Sequence, residues 1–342
     1  MKRRCWAAAL LFAAMAPAGY GREITDMAGN KIQVPDKITR LFAPSPYGAY
    51  MMYAIAPDLM TGVMFAPKDA DKKFLPKVLW DLPVLGQTGP GGGPSSNPEM
   101  IMKTKPDVLI MWQAEARPMN DRMLGPLGES GIPRIAVVAT SLFEYPAAMR
   151  FLGQLTGREK RGELLAARSE KILADVTAAV KKVPADKKPK VYYAEGVDGL
   201  STECNDSIHV QLFQILGDVD VHRCHTASHM GLEKISLEQV ALYAPDVIVA
   251  QEKMFYDKVY QDPAWKEVKA VREHKVYLIP HAPLNWFDRP PSFMRFLGLE
   301  WLANKLYPKE FPIDIKQEAK SFYSTFLGSE PSDQDLQEIM PQ

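Results

Sequence analysis

Three histidines, His222, His225 and His229, fall within the nine-residue segment HRCHTASHM, with Cys224 between them. The whole chain has only 6 histidines, so half of them gather here. Imidazole nitrogen and thiolate sulfur both bind zinc, copper, nickel and iron, which makes the stretch a candidate metal site. His225 and His229 are four positions apart and share a side if the segment is helical. A neutral imidazole there can fill an open position on an incompletely wrapped iron or nickel complex. A different chemistry competes for Cys224. In an oxidising compartment it pairs with Cys204 and closes a loop of about 20 residues, a bridge worth roughly 3 kcal/mol by loop-closure entropy. The third reading is a polar loop.

The choice depends on compartment. The chain opens MKRRCWAAALLFAAMAPAGYG: a basic start at Lys2, Arg3 and Arg4, an apolar run from Trp6 to Met15, then small residues. That order is the form of a secretory signal and is too short to span a bilayer. Residues 1–21 are therefore read as a signal peptide on an exported protein. Cys5 precedes the apolar run, so it is not the lipid-bearing cysteine of a lipoprotein. Cleavage removes three basic residues and no acidic one, taking the formal charge from zero to about −3. That balance argues against nucleic acid as a partner. Cleavage also removes Cys5 and leaves Cys204 and Cys224 as a pair, which favours the disulfide; a thiolate ligand at Cys224 is the alternative.

The elements that must position these groups are legible in outline. ITDMAGNKIQV alternates around Gly29 and Asn30 and reads as a hairpin. Short apolar strands follow at 40–43, 108–111 and 135–138, and a second set at 191–195, 246–251 and 275–280, with helical patterns between. Such alternation predicts an α/β fold with mainly parallel sheets. PEMIMKTKPDVLIMWQ and SLEQVALYAPDVIVAQ echo one another, each with Pro-Asp between a helix and an apolar strand. From Arg158 to Val183 strong helix formers dominate, with Gly162 the one glycine inside the run. The spacing predicts one long helix between two echoing lobes: residues 22–150, a linker at 151–187, and 188–342.

With the paired PDVLI and PDVIV segments, DPAWKEVKAVREHKVYLIP and RPPSFMRFLGLEWLANKLYP, the chain resembles the periplasmic substrate-binding proteins of ABC importers. The resemblance is to the class whose two Rossmann-like lobes are joined by one helix. That class carries iron(III)-siderophores, haem and cobalamin; a sister branch carries free zinc or manganese. It implies a monomer without catalysis or intrinsic cofactor, a membrane permease as partner, and a ligand held between the lobes. The loops leaving the strands then supply Tyr47, Phe65, Trp112, Arg117, Tyr193, Met254, Trp286, Phe287 and Arg289 as ligand contacts, with His225 and His229 as candidate metal contacts. Trp112 and Trp286 are expected to face each other across the cleft. Every histidine lies at or beyond His209, so the amino-terminal lobe has none to hold a bare ion. The ligand is therefore expected to bring its own metal, iron foremost, as a siderophore does; haem, a corrinoid or a nickel or cobalt chelate are the alternatives. The class commonly presents a glutamate on each lobe to the permease, and the matching helices, YGAYMMYAIAP and SIHVQLFQILG, have none. A metal-dependent exported hydrolase is the rival class; no Gly-x-Ser-x-Gly or His-Glu-x-x-His motif supports it. The glycine-rich GQTGPGGGPSSNP lacks the Lys-Ser/Thr ending of a phosphate loop.

Overall fold

A computed structural model describes residues 21–87, 96–116, 126–227 and 231–341. Arg117, His229 and nearly all of the expected signal peptide lie outside the described residues.

The opening hairpin pairs β1 (Arg22–Thr25) with β2 (Lys31–Val34), Ile24 opposite Ile32. One buried side chain holds its turn. Asp26 Oδ1 accepts from the main-chain N–H groups of Ala28 and Asn30 at 3.0 and 2.8 Å, and Oδ2 accepts from Ala136 N at 3.0 Å. Gly29, at φ 84°, supplies the left-handed residue the turn requires.

The first lobe is built on a parallel sheet of β3 (Leu41–Phe42), β4 (Val108–Gln113) and β5 (Arg134–Val138), in that order. After β6 (Val191–Ala194), the two-residue strands β7 (Ser201–Thr202) and β8 (Glu233–Lys234) pair antiparallel. β9 (Val247–Ala250) and β10 (Val276–Leu278) then complete a second parallel sheet, ordered β6-β9-β10. In this sheet Val191, Tyr193, Val247 and Val249 enter one core, while Tyr192, Ala194, Ile248 and Ala250 enter another on the opposite face. Burial on both faces is why these strands read as unbroken apolar runs rather than alternating ones.

The linker helix runs from Glu159 to Val180, 22 residues, about 33 Å at the usual rise. It packs against helices Tyr145–Thr156 and Arg295–Leu306. The first of these crosses the expected boundary at 150 and turns at Gly157, φ 67°. The junction is thus a hairpin of two helices rather than a lone strut. They touch backbone to backbone: a Cβ on Gly162 would lie 2.6 Å from the Met149 carbonyl oxygen. No side chain fits there.

The carboxy-terminal segment also departs from the expected division. Helix Ile315–Leu327 lies against helix Pro46–Ile55 of the first lobe. The Tyr323 ring meets Phe74 edge-on at 5.5 Å, Ser329 Oγ donates to the Phe74 carbonyl at 3.1 Å, and Lys73 pairs with Asp335. Residues after the last strand recross to the amino-terminal lobe because their aromatic face, Phe322, Tyr323 and Phe326, completes its core. Among the described residues no helix is long and apolar enough to cross a membrane.

Candidate functional site: the interlobe cleft

The carboxyl ends of the parallel strands meet between the lobes, where open α/β sheets bind their ligands. β4 ends on Trp112 and Gln113; β6, β9 and β10 lead into Glu195, Gln251 and His281. On the first wall Tyr47 stacks on Trp112, ring centroids 5.8 Å apart and planes within 17°. Tyr145 meets Trp112 edge-on at 5.4 Å and reaches across to Phe296 at 6.1 Å. Trp112 Nε1 donates to the Ala139 carbonyl at 2.7 Å, which fixes the indole. On the second wall Asn285 Nδ2 and the Tyr193 hydroxyl both donate to Gln251 Oε1, at 3.1 and 3.2 Å.

A cavity of about 270 Å³ is lined by Tyr50, Tyr53, Phe65 and Lys68 from one lobe and His281, Asn285 and Arg289 from the other. Burial pushes the Tyr50 hydroxyl up to about 12 and raises Tyr53 as well, so both are neutral hydrogen-bonding groups. Arg289 binds two buried carboxylates, Glu195 and Glu203. Glu203 also accepts from Ser207 Oγ at 2.8 Å and Leu232 N at 3.0 Å. Burial drives the Glu195 carboxyl up to about 7 against the pull of Arg289. The charge expected at Arg289 for an anionic ligand is therefore met within the protein.

Arg295 is the reverse case. It is 2% exposed, yet its Nε and Nη2 have no hydrogen-bond partner. Among the described residues no carboxylate comes within ion-pair distance of it. It lies among the interlobe rings, close enough that its charge pulls the Tyr145 and Tyr47 hydroxyls downward against the larger effect of burial. Nearby, Asp288 is held by His209 Nδ1.

The expected contacts divide. Phe65 and Arg289 line the interlobe cavity; Tyr47 and Trp112 are half-buried and stacked on one another against the core. Tyr193 and Phe287 are fully buried, their rings 4.9 Å apart, and serve as core. Trp286 does not face Trp112. It is fully buried, with Tyr323 at 6.3 Å and its Nε1 donating to the Ala282 carbonyl at 3.2 Å. The chain turns inward after β10, so closely that a Cβ on Gly298 would meet the Trp286 carbonyl oxygen. Met254 is 55% exposed on the surface helix Lys253–Val259. His225 does not line the cavity; its ring is solvent-exposed and its Nδ1 lies 3.1 Å from Asp206 Oδ2. Cys204 and Cys224 are joined as a disulfide, Cα atoms 4.9 Å apart. Sequence reasoning missed Arg295, the His209–Asp288 pair and the Glu195–Glu203 couple. The one signal for Arg295 was a charge inside the apolar run SFMRFLGLEW, where arginine is rarely buried unless paired.

Two α/β lobes meeting at their strand ends, with a long helix between them, define a two-lobed solute-binding protein. The chain matches the profile of the family described as "Periplasmic binding protein" over residues 70–283, and it belongs to that family. The solved structure of an ABC transporter solute-binding protein from Sulfurospirillum deleyianum is 37% identical, covers 94% of this chain and 99% of its own, and superposes with a TM-score of 0.86. The molybdate-binding protein MolA of Haemophilus influenzae is 24% identical over 349 residues, 94% of each chain. The vitamin B12-binding protein BtuF of Vibrio cholerae shares the fold at TM-score 0.59 and 20% identity, covering 79% of this chain and 96% of its own. The protein is thus the solute-binding component of an ABC importer, working with a permease on a small molecule, and is not an enzyme.

Proposed function

We propose that the protein captures a compact metal-bearing anion between its lobes, either a small ferric chelate of the siderophore type or a metal oxyanion, and delivers it to its permease. The observation that carries this is Arg295. A buried cation without an ion-pair partner costs several kcal/mol, and an incoming anion with two adjacent oxygens offsets that cost through charge-assisted hydrogen bonds to the open Nε and Nη2. Tyr47, Trp112 and the buried Tyr145 form a contiguous aromatic cluster beside Arg295. The relative named for molybdate binding carries a ligand of this chemistry. The interlobe cavity, about 270 Å³ and lined by Phe65, Lys68, His281 and Arg289 rather than by Arg295, falls just below the ~300–1,000 Å³ of drug-sized sites, so haem or a corrinoid would require a wider opening of the lobes. The metal travels within the ligand and the protein supplies no resident ion. The reading includes export as a monomer, freed of residues 1–21 and without a lipid anchor.

The test is calorimetric titration of the mature protein with molybdate, tungstate, sulfate, a ferric catecholate, haem and cobalamin. A metal-bearing anion should bind. Arg295→Met should weaken it about tenfold or more, as loss of a charge-assisted bond implies, while leaving the free protein at least as stable. Binding of haem or cobalamin alone, or anion affinity unchanged in Arg295→Met, would overturn the reading.

A further inference from the structure

The described part of the segment HRCHTASHM, residues 222–227, does not line the interlobe cavity, yet it gathers a set of ligands elsewhere. One ligand atom each from Cys204, His222 and Cys224 lies within 4.8 Å of the others. We propose that the Cys204–Cys224 disulfide masks a metal site: on reduction, the two thiolates and the His222 imidazole bind one zinc-class ion, soft to borderline in character.

The geometry is close to what such an ion needs. Zinc takes sulfur at ~2.3 Å and nitrogen at ~2.0 Å in a tetrahedron, which sets its ligand atoms roughly 3.5–4 Å apart. With the Cα atoms of the cysteines 4.9 Å apart, rotation about the side-chain bonds separates the freed sulfurs to that spacing without moving the backbone. The imidazole is already oriented: its Nδ1 lies 2.9 Å from the Tyr243 hydroxyl, and the two rings meet edge-on at 6.0 Å. Asp220 adds a second, independent feature. It is 2% exposed; its Oδ1 accepts from the His222 main-chain N–H at 2.9 Å, and its Oδ2 has no partner. A buried carboxylate oxygen two residues from a ligand favours a cation nearby. Water completes the fourth position.

The reductant is an exported dithiol. Its thiolate attacks Cys224, the half-buried sulfur, because Cys204 is 2% exposed. Cys204 leaves as thiolate, and the second thiol of the reductant then displaces the mixed disulfide. Two electrons and two protons pass to the protein, the reductant becomes a disulfide, and the metal displaces the two thiol protons on binding. The oxidised bridge keeps an exported carrier from taking a bare ion away from its cleft.

The experiment compares the full mature chain oxidised and reduced with a phosphine, after anaerobic removal of excess reagent. Zinc is titrated against a chromophoric chelator, and cobalt(II) against its thiolate charge-transfer band. The reduced protein should bind one equivalent and show that band; the oxidised protein should do neither. His222→Ala should cost about tenfold or more in affinity, at least the loss seen when mere outer partners of a ligand are removed. His225→Ala should change nothing. Equal zinc affinity in both redox states, a cobalt complex without the thiolate band, or unaltered affinity in His222→Ala would overturn the proposal. So would a reduced chain that unfolds by far-ultraviolet circular dichroism and does not recover with zinc. The site shares no residue with Arg295 or the cavity lining, so anion capture in the cleft stands or falls separately.

Discussion

Asp107 and Asp246 hold the same place in the two halves of the molecule and make the same bonds. Asp107 N donates to the Arg40 carbonyl at 2.8 Å while its Oδ2 accepts from Arg40 N at 2.9 Å; Asp246 N donates to the Lys190 carbonyl at 2.8 Å while its Oδ2 accepts from Lys190 N at 2.8 Å. Two residues earlier each chain passes through a positive φ, 50° at Lys105 and 46° at Ala244. Each aspartate thus clamps the start of the central strand to its neighbour, β4 to β3 and β9 to β6. Asp107→Ala and Asp246→Ala should each destabilise by about 1–3 kcal/mol, the cost of stranding the main-chain donors. The Asn variants, which keep the acceptor, should lose less. Urea unfolding of the four variants measures this, and equal losses for Ala and Asn would remove the clamp's role.

Gly162 sits where the linker helix crosses its neighbour. Gly162→Ala places a methyl 2.6 Å from the Met149 carbonyl oxygen and should cost about 1–3 kcal/mol as overpacking, although alanine is the better helix former. A thermal melt no lower than wild type would mean that the two helices part at no cost.

Arg289 neutralises Glu195 and Glu203. Arg289→Met should destabilise by about 3–5 kcal/mol, because it leaves buried carboxylates without a cation. Adding Glu195→Gln should recover part of that loss. Were Arg289 a ligand contact alone, its substitution would weaken anion binding and leave urea stability untouched.

Burial lifts Asp220 from 3.8 and Glu300 from 4.5, each up to about 7. Between the ordinary value and 7 such a group binds more protons folded than unfolded. Its contribution is therefore full below the ordinary value and is lost as pH rises through 7. Asp335, lowered to about 2 by Lys73 and Ser332, acts oppositely and weakens the fold only when pH falls below its ordinary 3.8. The melting temperature should thus rise as pH falls from about 8 to about 5. Asp220→Asn should raise it at the upper end and flatten the slope. A flat profile in wild type would show those acids ionised throughout.

The sequence by itself determined the strands, the hairpin, the long helix and the duplication, because these rest on local periodicity and on residues near one another in the chain. Pro106-Asp107 and Pro245-Asp246 could be read as strand starts without any partner in view. With Cys5 expected in the signal, arithmetic favoured the Cys204–Cys224 pair but left a thiolate ligand at Cys224 as the alternative. Which aromatic side chains face the cleft was decided by the tertiary structure alone. Trp112 and Trp286 look alike in sequence, each near a strand end; only the inward turn after β10 buries Trp286 against Tyr323. Arg289 and Arg295 stand six apart, and only Arg289 meets Glu195 and Glu203, more than eighty residues away. Helix Ile315–Leu327 follows the carboxy-terminal lobe in the chain but finishes the core of the other. Charge balance and burial are set by contacts between residues distant in sequence, which a local pattern does not contain.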